Sequence, residues 1–558
     1  MDLVIRIAGE AGQGVVSAGD MLVNAFAQVD LHVFTYRSYM SRIRGGLNWY
    51  DIRISDRKIF GMTKDSDILF ALTDDALTVL YPVNKTDGVV FFNTTEPSSF
   101  DTGVHAIDFV KESGHSIMIN SFAVGIVFGM LDMSAESLTA AIKKEFSDKA
   151  KDIIDKNIEA ASRGWQRCKK CGAAFKLELS PQKTPNFLTS GAKAIALSAA
   201  RSGIKFVASY PMTPATATFT WLAGAADKYN IVVEQAEDEI AAVNMICGAS
   251  YAGAPSMAAT SGGGFALMGE GLSLAGMTET PIVVLIAMRP GPATGLPTRT
   301  AQEDLRFALH AGHGEFPRAI YAPGTLEQCY ELTRTAMETA HKHQTPVIIL
   351  TDQYLQDHIE NIEPLDEAYA PIDRHIKEKP KSDYKRYAES ESGVSPRALP
   401  GSKSLVISDS DEHSEAGHLV EDFEIRITQQ NKRMRKLNGM TAEAIEPMRY
   451  GTAKPEKLLV CWGSTHGVCH EVIDILISKG EKIAMLHFSQ LWPLDSEKLK
   501  EQFSHYSEVY AVEGNFTGQF ASILKELGII KDCKLISRYD GLPFTTDYII
   551  EELEEYDN

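Results

Sequence analysis

The sequence predicts a multidomain α/β protein built on parallel, doubly wound sheets, and three observations lead there. At 558 residues the chain is too long for one hydrophobic core, so about two to four domains are expected. Its apolar runs are short and continuous, as in Pro281–Met288 and Thr345–Leu350, which suits strands buried on both faces. These runs alternate with helix-like segments and end in glycine or proline, the pattern of parallel strands joined by crossover helices.

The totals narrow the class. Apolar residues make up 44% and charged residues 23%, as in ordinary soluble globular proteins. The net charge of −19, from 55 basic and 74 acidic side chains, argues against nucleic-acid binding. Seven scattered cysteines, an odd number, read as reduced thiols. The start, Met1-Asp-Leu-Val-Ile-Arg6, has no signal-peptide pattern, and no apolar run reaches the ~18 residues that span a bilayer. A cytoplasmic protein without membrane contact is expected.

Taken in order, residues 2–8 form an apolar strand that enters Gly9-Glu-Ala-Gly-Gln-Gly-Val15, followed by a helix to about Val29. Such a turn brings backbone N–H groups to an anion or simply joins strand to helix; its spacing is not the dinucleotide fingerprint. Asp67–Leu72 and Gly88–Phe92 are further strands, and a parallel sheet is expected. Arg37, Arg42 and Arg44 suit phosphate or carboxylate binding, or equally a solvated loop. Cys168-Lys-Lys-Cys171 is half of a zinc or iron–sulfur site at most, because no second pair lies nearby; no metal site is assigned to this chain. A linker with Pro181 and Pro185 follows.

The strand Ile204–Ala208 runs into Ser209-Tyr-Pro-Met-Thr-Pro-Ala-Thr216 and then a helix to Tyr229. Two prolines stiffen the turn around Thr213, which either serves as a helix cap or offers a hydroxyl where open α/β sheets bind ligands. A short strand at 231–234 precedes Glu237-Asp-Glu239, acidic residues that open a helix of small residues. Ser256–Thr260 ends in the run Gly262-Gly-Gly264, which permits close backbone approach to a flat ligand. Residues 356–450 lose their apolar runs and read as an extended, partly ordered connection. Within it, Asp409–His418 mixes carboxylates with His413 and His418, a conceivable metal set or a solvated loop, and Gln429–Lys436 is a basic stretch suited to docking. From Lys457 strands alternate with helices again: Leu458–Gly463, Lys482–His487 and Glu508–Val512.

Four stretches in one order within about ninety residues, Tyr210-Pro-Met-Thr-Pro214, Glu237-Asp-Glu-Ile-Ala-Ala242, Thr260-Ser-Gly-Gly-Gly264 and Gly291-Pro-Ala-Thr-Gly-Leu-Pro-Thr298, closely resemble the α subunit of 2-oxoacid:ferredoxin oxidoreductases. The glycine turn at 9–14 and Tyr36–Gly46 resemble the γ subunit of the same enzymes, although the family's usual pattern has a further glycine where Ala11 stands. Val512–Gln519 resembles the family's second α domain, which is related to the C-terminal domain of transketolase. The resemblance implies a γ-type α/β domain at 1–180, a pyrimidine-type doubly wound parallel sheet domain at 181–355, the connection at 356–450, and a transketolase C-terminal-like domain at 451–558.

It also implies thiamine diphosphate as cofactor. Thiamine enzymes need a carboxyl group hydrogen-bonded to pyrimidine N1′ in a dry pocket, and the match along the helix puts it at Glu239. The match places the substrate-contacting threonine at Thr213 and the arginine for the substrate carboxylate at Arg299, with Arg289 as rival; Tyr210, Pro211, Gly262 and Gly263 would line the cofactor. No Gly-Asp-Gly segment with a downstream Asn and no cysteine array is found, so Mg²⁺ and the [4Fe–4S] cluster are expected on a separate β subunit. An (αβ)₂ heterotetramer, coenzyme A as co-substrate and ferredoxin as electron acceptor complete the expectation. Because ferredoxin is acidic, the net charge means that it would need a local basic patch or the second subunit to dock. 2-Oxoglutarate is the expected substrate, with pyruvate or broad specificity next. A non-catalytic assembly protein of the same fold would be expected to lack Glu239, Thr213 and Arg299 together. A dinucleotide-dependent dehydrogenase rests on the first glycine turn alone.

Overall fold

A computed structural model of the chain describes residues 2–41, 45–95, 104–171, 175, 185, 187–366 and 370–557. The chain divides into two compact units. One comprises Met1–Thr189 with His358–Pro364 and Thr545–Asp547; the other comprises Ser190–Asp357, Leu365–Phe544 and Tyr548–Asn558.

The first unit is built on an eight-stranded sheet ordered Val104–Ile107, Asn84–Asn93, Ser66–Ala71, Asp2–Glu10, Leu47–Ser55, His32–Ser38, Ile359–Ile362 and Phe187–Ser190. Asp2–Glu10 pairs parallel with Ser66–Ala71 and antiparallel with Leu47–Ser55, so the sheet is mixed and not wholly parallel as expected. The reason is local. Only eight residues of sequence join His32–Ser38 to Leu47–Ser55, too few for the crossover that a parallel pair needs, and the two strands pair antiparallel. Helices Val15–Phe26, Ile119–Met130 and Lys151–Cys171 contribute to one apolar core with the sheet. The last two pack backbone to backbone: a Cβ on Gly125 would overlap the Ala161 carbonyl, and one on Gly164 the Phe122 carbonyl.

The second unit holds two sheets. The seven-stranded sheet runs Gln490–Trp492, Ala319–Tyr321, Pro346–Asp352, Ile282–Met288, Ser256–Thr260, Phe206–Ser209 and Val232–Gln235, all parallel except the first. The five-stranded sheet runs Met448–Gly451, Ile483–Phe488, Lys457–Trp462, Glu508–Glu513 and Lys534–Ser537. One core joins the sheets, with Met288, Ile320, Trp462, Phe488 and Phe520 all buried in it. This is the doubly wound architecture the apolar runs anticipate.

The 365–442 stretch is more ordered than the sequence suggests. Its helix Phe423–Ala442 begins at Asp422, whose carboxylate accepts from the Ile425 N–H at 2.9 Å. Charged side chains along the stretch turn inward. Arg397 donates to the Ser250 carbonyl at 3.1 Å, Arg386 to the Glu279 carbonyl at 2.8 Å, and Lys436 to the Gln344 carbonyl at 3.0 Å. These carbonyls stand at the C-terminal ends of helices Glu239–Tyr251, Gly269–Met277 and Leu326–His343. Cations there satisfy orphan carbonyls and oppose the helix dipoles. The basic run at 429–436 is therefore not a docking patch: Lys432, Arg433 and Lys436 are buried, the two lysines bonded to the buried Glu279 at 2.7 and 2.5 Å.

Candidate functional site

The site is assembled at the C-terminal ends of the central parallel strands. Ser209 closes its strand and ties it to both neighbours: its hydroxyl accepts from the Ala259 N–H at 2.9 Å, and its carbonyl accepts from the Ala236 N–H at 3.1 Å. The chain then turns through Tyr210, which is exposed, and half-buried Pro211, Met212 and Thr213 into helix Thr216–Gly224. Arg289, first residue after the strand Ile282–Met288, donates to the Thr213 carbonyl at 2.8 Å. Burial lowers the pKa of this arginine, and Asp304 opposes that shift.

Glu239 is the first residue of helix Glu239–Tyr251. Asp238 caps that helix by accepting from the Ala241 N–H at 2.7 Å, which leaves the Glu239 side chain to point inward at 3% exposure. Its hydrogen bond is a long one, 3.5 Å from Thr260 Oγ1 to Oε1. The Thr260 hydroxyl is itself held loosely, 3.4 Å from the Ser261 carbonyl and 3.9 Å from Met212 Sδ. A buried carboxyl group so thinly satisfied has room for a stronger donor. Gly264 makes that room, because a Cβ there would overlap both Glu239 Oε1 and Thr260 Oγ1.

The glycine run adds two further unsatisfied groups. Ser261 is fully buried and its Oγ has no hydrogen-bond partner among the described residues. Asp304 presses its carboxylate on Gly262, where a Cβ would overlap it, and its Oδ2 also has no hydrogen-bond partner among the described residues. Burial, with Glu303 adding to it and Arg289 opposing, pushes the Asp304 carboxyl up to about 6. Sequence reasoning missed Asp304. It precedes helix Leu305–His310 and looks like an N-cap, but its side chain makes no cap bond.

Thr213 and Arg289 are thus brought together, as are Glu239, Thr260 and the Gly262–Gly264 run. Arg299 lies ten residues beyond Arg289 on the same loop, half-buried against Gly541, its N–H donating to the Leu296 carbonyl at 3.1 Å. A cavity of about 730 Å³ in this unit, lined by Asn244, Glu270, His313, Glu412, Arg426 and Arg433 among others, includes none of these groups. It is set aside because it contains neither the strand ends nor the glycine run.

The remaining sequence candidates resolve as structural groups or fall outside the description. Arg37 pairs with Asp20 at 2.5 Å and with the Tyr50 hydroxyl at 3.0 Å; Arg42, Arg44 and Pro181 lie outside the described residues. Cys168 is buried in its helix, and the Cys171 side chain lies outside the described residues. His413 is buried against the Tyr387 ring at 3.9 Å, and Glu412 pairs with Arg433 at 2.7 Å and Arg426 at 2.6 Å, so the 409–418 run is not a solvated loop throughout. Among the described residues no cluster of three or more His, Cys, Asp or Glu side chains has a metal-binding arrangement. No described helix is long and apolar enough to cross a membrane.

Comparison with known proteins bears on what this face does. Residues 198–432 match the family model described as pyruvate flavodoxin/ferredoxin oxidoreductase, thiamine diP-binding. Residues 4–167 match that of pyruvate ferredoxin/flavodoxin oxidoreductase. The fold and these two matches define the class as thiamine-diphosphate-binding oxidoreductases.

The 2-oxoacid:ferredoxin oxidoreductase subunit alpha of Sulfolobus sp is 30% identical over 98% of this chain and 96% of its own. The 2-oxoglutarate oxidoreductase subunit KorA of Mycobacterium tuberculosis is 29% identical over 98% and 90%. The solved structure of 2-oxoglutarate:ferredoxin oxidoreductase from Magnetococcus marinus, with 2-oxoglutarate, coenzyme A and succinyl-CoA bound, superposes with a TM-score of 0.94 at 31% identity over the whole of both chains. The chain belongs to the 2-oxoacid:ferredoxin oxidoreductase family, as an α subunit.

Proposed function

We propose that this chain supplies half of an active site that oxidatively decarboxylates 2-oxoglutarate to succinyl-CoA, or runs the reverse carboxylation. A β subunit would supply Mg²⁺ and the [4Fe–4S] cluster, ferredoxin would take the electrons, and the working assembly would be an (αβ)₂ heterotetramer in the cytoplasm. The observation that carries the reading is the Glu239 carboxyl, buried to 3% exposure with only a 3.5 Å hydrogen bond from Thr260. A buried carboxyl in that condition fits the N1′ edge of an aminopyrimidine, and the unpartnered Ser261 Oγ and Asp304 Oδ2 fit a polar ligand over the glycine run.

Thiamine diphosphate, when bound, supplies the nucleophilic carbon and the electron sink that a 2-oxoacid needs to lose CO₂. The protein's part is positional and electrostatic. Glu239 holds a proton against the pyrimidine edge, with Thr260 Oγ1 behind it. Tyr210, Pro211, Gly262 and Gly263 would line the cofactor's ring. Arg299 presents a planar fork to the substrate carboxylate, and the Thr213 hydroxyl donates to one of its oxygens. Arg289 fixes the Thr213 backbone and so serves that threonine's position, not the substrate directly.

The choice of 2-oxoglutarate leans on the KorA relative and on the ligands of the Magnetococcus marinus structure. Pyruvate or broad 2-oxoacid use is the alternative. Burial of the basic 429–436 run favours carrier docking on the partner subunit. Co-expression with the β subunit and measurement of ferredoxin reduction with each 2-oxoacid tests the proposal. Fastest CoA-dependent reduction with 2-oxoglutarate is expected, and no reduction with any 2-oxoacid would overturn it.

A further inference from the structure

Residues 289–304 carry Arg289, Asp304 and the arginine proposed for the substrate carboxylate, Arg299, between the strand Ile282–Met288 and helix Leu305–His310. Near the end of this loop stands Gln302, 2% exposed, and all four of its polar groups go to the neighbouring five-stranded-sheet domain. Its N–H donates to the Gly514 carbonyl at 2.7 Å, and its carbonyl accepts from Asn515 Nδ2 at 3.0 Å. In the side chain, Oε1 accepts from the Gly514 N–H at 2.8 Å, while Nε2 donates to the Trp462 carbonyl at 2.8 Å. Trp462 and Glu513 end two adjacent parallel strands, so Gln302 is fitted across a rigid edge.

That edge is braced from behind. Glu513, 1% exposed, accepts from Asn515 Nδ2 at 2.9 Å, from Trp462 Nε1 at 3.2 Å, and from the Phe520 and Ala521 N–H groups at 2.9 and 2.8 Å. One residue after Arg299, the Thr300 N–H donates to the Gly541 carbonyl at 3.2 Å. The two domains do not need Gln302 to adhere. They share an apolar core, and Ser464 donates to Asp352 across the same boundary, beside Gln302. Four bonds at one residue, three positions beyond Arg299, constrain the height of the loop.

We propose that Gln302 is a positioning residue for the substrate carboxylate: the transketolase-like domain sets the reach of Arg299 through the Trp462–Gln302–Gly514–Asn515 bonds. This rests on Arg299 being the carboxylate-binding arginine. A displacement near 1 Å at such a contact can cost about a hundredfold in rate.

The test compares variants of the chain complexed with its β subunit, reading 2-oxoacid dissociation constant by calorimetry, KM, kcat and thermal midpoint. Gln302→Met, matched in volume but without the two side-chain bonds, should raise KM and the dissociation constant about tenfold. Leu458→Ala thins the shared apolar core at the far end of strand Lys457–Trp462 from Trp462; it should lower the midpoint and leave KM unchanged. If Gln302→Met does not fold, Asn515→Ala removes one bond of the four and should raise KM about threefold. An unchanged KM in the folded Gln302 or Asn515 variant, or an equal KM rise in Leu458→Ala, overturns the inference. Arg299→Lys separates the two layers. Raised KM there with none in Gln302→Met sinks the positioning role alone, whereas unchanged KM in Arg299→Lys sinks the reading of Arg299 and this inference with it.

Discussion

Gly264 faces Glu239 so closely that a methyl group at 264 would overlap Glu239 Oε1 and Thr260 Oγ1 together. The third glycine of the run is therefore the wall of the carboxyl pocket. Gly264→Ala should turn the Glu239 side chain away while the buried strands on either side hold the fold. The expected outcome is a loss of roughly a hundredfold in kcat with an unaltered circular dichroism spectrum. Full activity in this variant would mean that the Glu239 carboxylate need not sit where the structure has it.

Asp304 gives a signed pH prediction. Its carboxyl titrates at about 6 in the folded chain, above the ordinary 3.8, so between these values the folded state binds more protons than the unfolded state. The stability that its protonated form contributes is present below 3.8 and lost as pH rises through about 6. Asp304→Asn, which mimics the neutral form, should raise the thermal midpoint relative to wild type at pH 8 and converge with it near pH 4. A midpoint difference independent of pH would show that Asp304 is an ordinary surface carboxylate.

Glu279 tests the inward-facing connection. It is fully buried, holds φ at 50°, and is the carboxylate to which Lys432 and Lys436 are bonded; burial brings Lys436 down to about 7. Glu279→Gln leaves two buried lysines without their counter-charge, which should destabilise the chain by about 3–5 kcal/mol. Turnover per folded molecule should not change, since Glu279 touches none of the site residues. A denaturant midpoint equal to wild type would contradict the pairing.

The sequence made the second unit's strands legible because continuous apolar runs have few other uses, and the motif turns at 209–216 and 260–264 do lie at strand ends. It hid what depends on distant partners. Nothing near Asp2–Glu10 announces an antiparallel neighbour at Leu47–Ser55, some forty residues on. Lys432 and Lys436 read as part of a basic docking stretch, and Arg386 and Arg397 as part of an extended connection, because a long cationic side chain looks the same in sequence whether it meets water or a helix C-terminus. Arg289 and Arg299 were rivals by residue type, and the structure gives Arg289 a task of its own at the Thr213 carbonyl. Asp304 was invisible because an aspartate before a helix has a simpler use.

The most direct measurement concerns Glu239 itself. In the complex with the β subunit, Glu239→Gln keeps the shape of the buried side chain but has no proton to share with a pyrimidine edge. Proton transfer from a positioned carboxyl is typically worth about 10²- to 10⁴-fold. CoA-dependent ferredoxin reduction with 2-oxoglutarate should fall by that factor, with the thermal midpoint of the complex preserved. Turnover within twofold of wild type in a correctly assembled Glu239→Gln complex would contradict the assignment of the site.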